Sequence, residues 1–183
     1  FHSGKFVAAD EMLRFRAAGH VQGHKVGLGQ QGLEGDRADA QELWKWSGRK
    51  MSLDLINPIH LPLPLAPVSQ PCPPWSVLLH HTRRAFSQYA VSKIHIVLVE
   101  GAGGLLCPIT RKHTMRELAQ ELNLPLVIVA RDQLGVLNHS LLTLEAATAK
   151  NLVCHALVLA QLNGRNDPSS STNGTALERM IRI

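Results

Sequence analysis

The chain has 183 residues, 45% hydrophobic and 18% charged, with a formal net charge of +5, which makes one globular domain the default. Aromatics are only 4%, so the core must be built from aliphatic side chains. The basic residues scatter without a block or interleaved aromatics, the three cysteines form no CxxC pair, and no apolar run nears the ~20 residues of a membrane helix; these facts argue against a nucleic-acid surface, a zinc or disulfide framework, and a membrane protein.

Residues 6–18 carry Val7, Met12, Leu13 and Phe15 among Ala and charged residues, which predicts a helix ended by Gly19. A short apolar run broken by glycines follows, Val26, Gly27, Leu28 and Gly29, and then a polar segment over 30–38. Residues 39–46 predict a short helix with Gly48 as its stop. Seven prolines between Asn57 and Trp75 argue against regular interior helix or sheet there, and the segment is expected to be a long surface connection. Residues 76–89 predict a helix. The run Ile94, His95, Ile96, Val97, Leu98, Val99 is short and β-branched, as in a strand buried on both faces. Residues 114–122 predict a helix that Thr114 and Glu117 open as a capping box. Residues 126–129 predict a second buried strand, 137–150 a helix, and 157–159 a third strand. The Ser-rich stretch 167–173 is expected to be a loop. Strand, helix, strand, helix, strand implies a parallel sheet with right-handed crossovers.

In such sheets ligands bind beyond the carboxyl ends of the strands. That directs attention to Glu100, Gly101, Ala102, Gly103 and Gly104, then to residues 131–138, then to 161–164. A carboxylate at Glu100 suits Mg²⁺, which prefers oxygen ligands, although a tight turn with an exposed Glu would read the same way. Ser3, Gly4 and Lys5 precede the first predicted helix and retain only the Gly-Lys of a phosphate loop G-x-x-x-x-G-K-[ST]. Phe6 stands where its hydroxyl belongs. Asp39 can cap its helix or give a metal a second carboxylate. Asn138, near the start of a helix, can act as a cap or, with the first-turn amides, present donors to a carboxylate. His139 beside it has no partner by spacing.

Several of these pieces together resemble the dethiobiotin synthetases. Residues 99–104, Val-Glu-Gly-Ala-Gly-Gly, look like the family stretch VEGAGG. Residues 134–139 with Leu141, Leu142 and Thr143 resemble its LG-x-[IL]-NH-x-LLT. Residues 63–67 resemble its proline-containing segment before the central helix. Asp39, Ala40 and Leu43 resemble DA-x-x-L, Leu162-Asn163 resembles the segment with its adenine-contacting Asn, Gly4-Lys5 with Ala18-Gly19-His20 is similar to its phosphate-loop helix, and Lys25-Val26 stands where Lys-Pro is usual.

The resemblance implies a three-layer P-loop NTPase-like α/β fold, with a mostly parallel sheet flanked by helices, as a single domain over 1–183 that is incomplete at both ends. It implies an ATP- and Mg²⁺-dependent ligase of biotin biosynthesis that carboxylates 7,8-diaminopelargonate with CO₂ and closes its ureido ring. A cytoplasmic homodimer that binds neither nucleic acid nor membrane is expected. Residue by residue, Gly4 and Lys5 would hold phosphate. Glu100, Gly101, Gly103, Gly104 and Asn163 would bind the nucleotide, and Asp39 and Glu100 would bind Mg²⁺. Lys5 and Lys25 would be catalytic, Lys25 lying near the carbamate. Lys25, Gly135 and Asn138 would bind substrate, the last holding its carboxylate across the dimer interface. The departures are Phe6 for the Mg²⁺-binding Thr, Val26 for Pro, and the unmatched first strand. They leave open a second reading, a non-catalytic nucleotide-binding relative with a degenerate phosphate loop.

Overall fold

The computed structural model describes residues 23–31, 37–46, 51–61, 63, 65–90, 96–101, 103–161 and 167–181. The helix expected over 6–18, with Gly4 and Lys5 before it, and Asn163 lie outside the described residues. Those described divide into two compact units, one within residues 21–122 and one within 123–183.

The first unit contains β1 (Gly23–Gln31), α1 (Ala38–Trp46), α2 (Leu53–Ile56), β2 (Ile59–Leu61), a 3₁₀ turn (Pro67–Ser69), α3 (Trp75–Ala90), β3 (Ile96–Glu100) and α4 (Met115–Leu122). Its sheet has the order β2-β1-β3, and both pairings are parallel. The glycine-broken run seen in the sequence is thus part of a nine-residue central strand. Glycine is a poor strand former, but pairing on both sides satisfies the backbone and overrides that local preference.

The proline-rich stretch departs from expectation. It holds a strand, β2, and its Ile59, Leu61 and Pro67 are buried, with Ile56 of α2 just before it. Its first residues and Pro67 therefore belong to the core, while Leu63, Leu65 and Val68 stay exposed as a surface connection would. Prolines are tolerated because β2 lies at the edge of this sheet and Pro58 and Pro62 flank the strand without interrupting it. Ile59 and Leu61 pack with Leu78 and Leu79 of α3, with Ile109, and with Met115 and Leu118 of α4. Each such side chain contributes about 1.5–3 kcal/mol on burial. On α3 the buried positions Leu78, Leu79, Thr82 and Ala85 lie at helical spacing on one face. Thr82 sits there at no polar cost, because its hydroxyl donates to the Leu78 carbonyl at 2.9 Å.

The second unit contains β4 (Leu126–Arg131), α5 (Val136–Thr148), β5 (Cys154–Ala160) and α6 (Ser170–Met180). β4 and β5 pair in parallel across the α5 crossover. Val136 and Ala147 of α5, Leu157 and Val158 of β5, and Leu177 of α6 are buried. Asn123 and Asn151, just past α4 and α5, have φ of 49° and 55°. Asn tolerates this left-handed conformation better than most residues, and it turns the chain out of each helix.

Two expectations fail in this unit. The stretch 167–173 is not all loop, because α6 begins at Ser170. Its start is held by side-chain hydrogen bonds from distant residues, which composition does not reveal. β4 is also not buried on both faces: Val127 is 43% and Val129 61% exposed, while their neighbours are half-buried. Leu98 of β3 is likewise 41% exposed. α5 packs on β4, and its apolar composition reads as full burial although the cover lies on one side among the described residues.

Candidate functional site

Glu100 is the last residue of β3 and is exposed. In the parallel ladder it stands opposite Gly27 of β1, and Leu98 stands opposite Lys25. The register thus brings Lys25 to within two strand positions of the Glu100 level, roughly 7 Å along the strand. Asp39 is the second residue of α1, so it lies inside the helix and not at its cap. The Arg37 carbonyl starts that helix by accepting the Gln41 N–H at 2.7 Å. α1, which carries Asp39, and β3, which carries Glu100, each contact β1, which carries Lys25.

The turn after Glu100 is held mainly by steric fit. Gly103 has φ +72°, a region in which a side chain is strained. A Cβ there would lie 3.0 Å from Cys107 Sγ and 3.1 Å from its Cβ. A Cβ on Gly101 would meet Met115 Sδ at 3.2 Å, whereas one on Gly104 would meet nothing within 4 Å. Burial holds the Cys107 thiol above its ordinary pKa, so it packs as a neutral group. Backbone bonds close the turn: the Cys107 N–H donates to the Gly104 carbonyl at 2.8 Å, and the Met115 N–H to the Cys107 carbonyl at 3.0 Å.

The loop that leads into α4 is equally self-bonded. Thr110 Oγ accepts the Lys112 and His113 N–H groups and lies 2.9 Å from His113 Nδ1. The His113 ring stacks on Trp75 at 4.2 Å with planes 2° apart. At the helix start Glu117 accepts the Thr114 N–H at 2.8 Å and its hydroxyl at 2.6 Å. The Thr114 hydroxyl oxygen in turn accepts the Arg116 N–H at 3.2 Å. This is the expected capping box, with the threonine bond shifted to the second helical N–H. Burial pushes the Glu117 carboxyl up, but the Thr114 bonds and the Arg116 guanidinium outweigh it and hold it at about 2.

Mg²⁺ suits what this turn offers. It is commonly held by one or two carboxylates together with phosphates and waters, and Glu100 is an exposed carboxylate at the carboxyl end of a strand. Among the described residues no group of three or more His, Cys, Asp or Glu is placed to form a metal cage of its own. The three cysteines are free thiols.

In the second unit Gly135 caps α5 with φ 96°, without a side-chain cap bond. Asn138 is therefore in the first turn and exposed, not the cap. Its neighbour His139 is exposed as well, and the His139 N–H makes a helical bond to the Gly135 carbonyl at 3.1 Å. The first-turn N–H groups of a helix have no intrahelical acceptor and favour an anion.

Sequence reasoning missed the polar cluster beside this helix start. Asp132 is buried, accepting Asn173 Nδ2 at 2.7 Å on Oδ1 and Gln161 Nε2 at 3.3 Å on Oδ2. Asp167 accepts the Leu134 N–H at 3.2 Å, the Ser169 N–H at 3.0 Å and the Ser169 hydroxyl at 2.7 Å. The available signal was Asp167 two positions before Ser169, since Asp readily accepts a backbone N–H two residues on and so favours helix starts.

Comparison with known proteins agrees with this geometry. The model of a family described as an AAA domain matches residues 27–183. The chain is 34% identical over 179 residues to an ATP-dependent dethiobiotin synthetase of Anaeromyxobacter dehalogenans, covering 97% of this chain and 80% of that one. It is 35% identical over 172 residues to the protein of that name from Mycobacteroides abscessus, covering 93% and 74%. A relative of that name from Anaeromyxobacter sp. is 48% identical over a shorter 84 residues. Parallel strands joined through helices, together with the matched family, give an α/β fold of P-loop NTPase type.

Proposed function

Because the chain belongs to the dethiobiotin synthetase family, we propose that it is an ATP-dependent ligase of biotin biosynthesis that converts 7,8-diaminopelargonate and CO₂ to dethiobiotin. The observation that carries this reading is the turn 100–107. It follows the carboxyl end of a parallel strand, presents an exposed carboxylate, and turns at Gly103, where the positive φ and the approach of Cys107 disfavour a side chain.

The chemistry runs in three steps. One amine of the substrate takes up CO₂ and releases a proton, forming a carbamate. A carbamate oxygen attacks the γ-phosphorus of ATP and ADP leaves, giving a carbamic-phosphoric anhydride. The second amine attacks the carbamoyl carbon and gives up a proton, phosphate leaves with the C–O bond electrons, and the ring closes. Little covalent chemistry falls to the protein, so its work is positioning and charge neutralisation. Glu100 and Asp39 would hold Mg²⁺, which when bound neutralises phosphate charge. Lys25, two positions before the Gly27–Glu100 pair, would face the carbamate and the transferred phosphoryl group. Lys5 and Gly4 would contact phosphate. Gly101, Gly103 and Gly104 would line the nucleotide, and Asn163 would hydrogen-bond adenine. The start of α5, with Gly135 and Asn138, would take the substrate carboxylate, in a homodimer, across its interface.

Phe6, where a phosphate loop carries Ser or Thr, favours a second reading in which nucleotide binds without turnover. ADP release with Mg-ATP and bicarbonate, measured with and without the diamine, separates the two. Release that requires the diamine supports the ligase. A folded protein that binds ATP yet gives no diamine-dependent ADP supports the non-catalytic reading.

A further inference from the structure

The turn into α5 and the turn into α6 grip each other with two carboxylates. Asp132, directly after β4, reaches forward: its carboxylate takes Asn173 on the first turn of α6 and Gln161 just past β5. Its backbone joins in, because its N–H donates to the Ala160 carbonyl at 2.9 Å and its carbonyl accepts the Ser170 hydroxyl at 3.1 Å. Asp167, directly before α6, reaches back to the Leu134 N–H. Ser169 completes the loop by bonding both Asp167 and Asn173. Asn173 and Asp132 are both buried. A buried carboxylate with partners on each oxygen is kept in one geometry, because leaving any partner unpaired costs more than the bond itself contributes.

We propose that Asp132 and Asp167 are positioning residues for the substrate-carboxylate site, fixing the start of α5 through this two-way clasp. The proposal rests on the functional reading above, in which Gly135 and Asn138 receive that carboxylate. Leu134 is the residue before Gly135, whose φ of 96° sets the direction in which α5 starts. Holding the Leu134 N–H from the turn before α6, and Asp132 from α6 and the end of β5, restrains the segment between them. The same clasp fixes Gln161 and Asp167. Neither carboxylate touches substrate in this scheme; each acts through the backbone it holds.

The test uses the Asp132→Asn and Asp167→Ala proteins. Asn at 132 keeps the shape but replaces one acceptor oxygen with a third donor, facing the two donors of Asn173 and Gln161. Ala at 167 removes only the half-buried partner, so this variant keeps its fold if the first does not. Two readouts are taken: amide hydrogen exchange over residues 134–138 without ligands, and kcat and KM for the diamine. The expected result is about tenfold faster exchange in that segment and about tenfold higher KM, with kcat within about threefold, the size set by one hydrogen bond to a charged group. Unchanged exchange in both variants would overturn the clasp. Lower kcat and melting temperature with unchanged KM would overturn the positioning role in favour of a merely structural one. If the unaltered protein shows no diamine-dependent turnover, the functional reading fails by itself, and hydrogen exchange still decides the clasp.

Discussion

The turn after β3 and the turn after β4 occupy equivalent places, each between the carboxyl end of a parallel strand and a helix, yet they are held by opposite means. The first is fixed by what is missing: a Cβ on Gly103 would crowd Cys107, and backbone bonds from Cys107 to Gly104 and from Met115 to Cys107 close it. The second is fixed by what is added, the carboxylates of Asp132 and Asp167 with their partners. A turn built on steric fit tolerates changes in charge and fails on changes in size. A turn built on carboxylates does the reverse. Under the proposed function the first turn would let backbone approach a nucleotide's phosphates closely, and the second would aim the first amides of α5 at one anion.

The largest expected effect separates chemistry from shape in the first turn. Glu100→Ala should lower diamine-dependent ADP release by roughly 100-fold, the scale of losing one charge-stabilising group, in protein that circular dichroism shows to be folded. Near-normal turnover in that variant would rule out the proposed metal-binding role of Glu100. A smaller effect tests the steric claim within one loop. Gly103→Ala should cost about 1–3 kcal/mol in urea unfolding, from its φ and its approach to Cys107. Gly104→Ala, which meets open space, should stay within about 0.5 kcal/mol. Equal costs at the two positions would mean that steric fit does not hold this turn.

The smallest effect concerns pH. Glu117 in the folded chain is held at about 2, below the value of about 4.3 for a free glutamate. Its contribution is therefore complete above about pH 4.3 and fades as pH falls towards 2. Thr114→Ala should shrink that part of the stability–pH profile, read as the change in unfolding free energy between pH 5 and pH 3, relative to the unaltered protein.

The same contrast explains what could be read from the sequence. The glycine turn was legible because its determinants are neighbours: a β-branched run, one carboxylate, three glycines. The Thr114–Glu117 box was legible for the same reason, since its partners are three residues apart. The clasp was not legible, because Asp132 meets Asn173 41 residues on and Asp167 meets Leu134 33 residues back. Without those bonds the segment from Asp167 reads as a polar loop. β2 was hidden for a related reason. Prolines on both sides argue against a strand locally, and only the pairing with β1 and the core formed with α3 and α4 show that Ile59 and Leu61 face inward. Asn138 was placed correctly at a helix start, but the capping role belonged to Gly135, whose positive φ depends on the turn around it.

The proposed ligase couples ATP cleavage to ring closure. The most direct test supplies ¹³C-bicarbonate, Mg-ATP and 7,8-diaminopelargonate to the purified protein and measures ADP and labelled dethiobiotin in the same sample. The expected result is one labelled ureido carbon for each ADP formed, and neither product when the diamine is left out. ADP formed without label in dethiobiotin, or no ADP from folded protein that binds ATP, would contradict it.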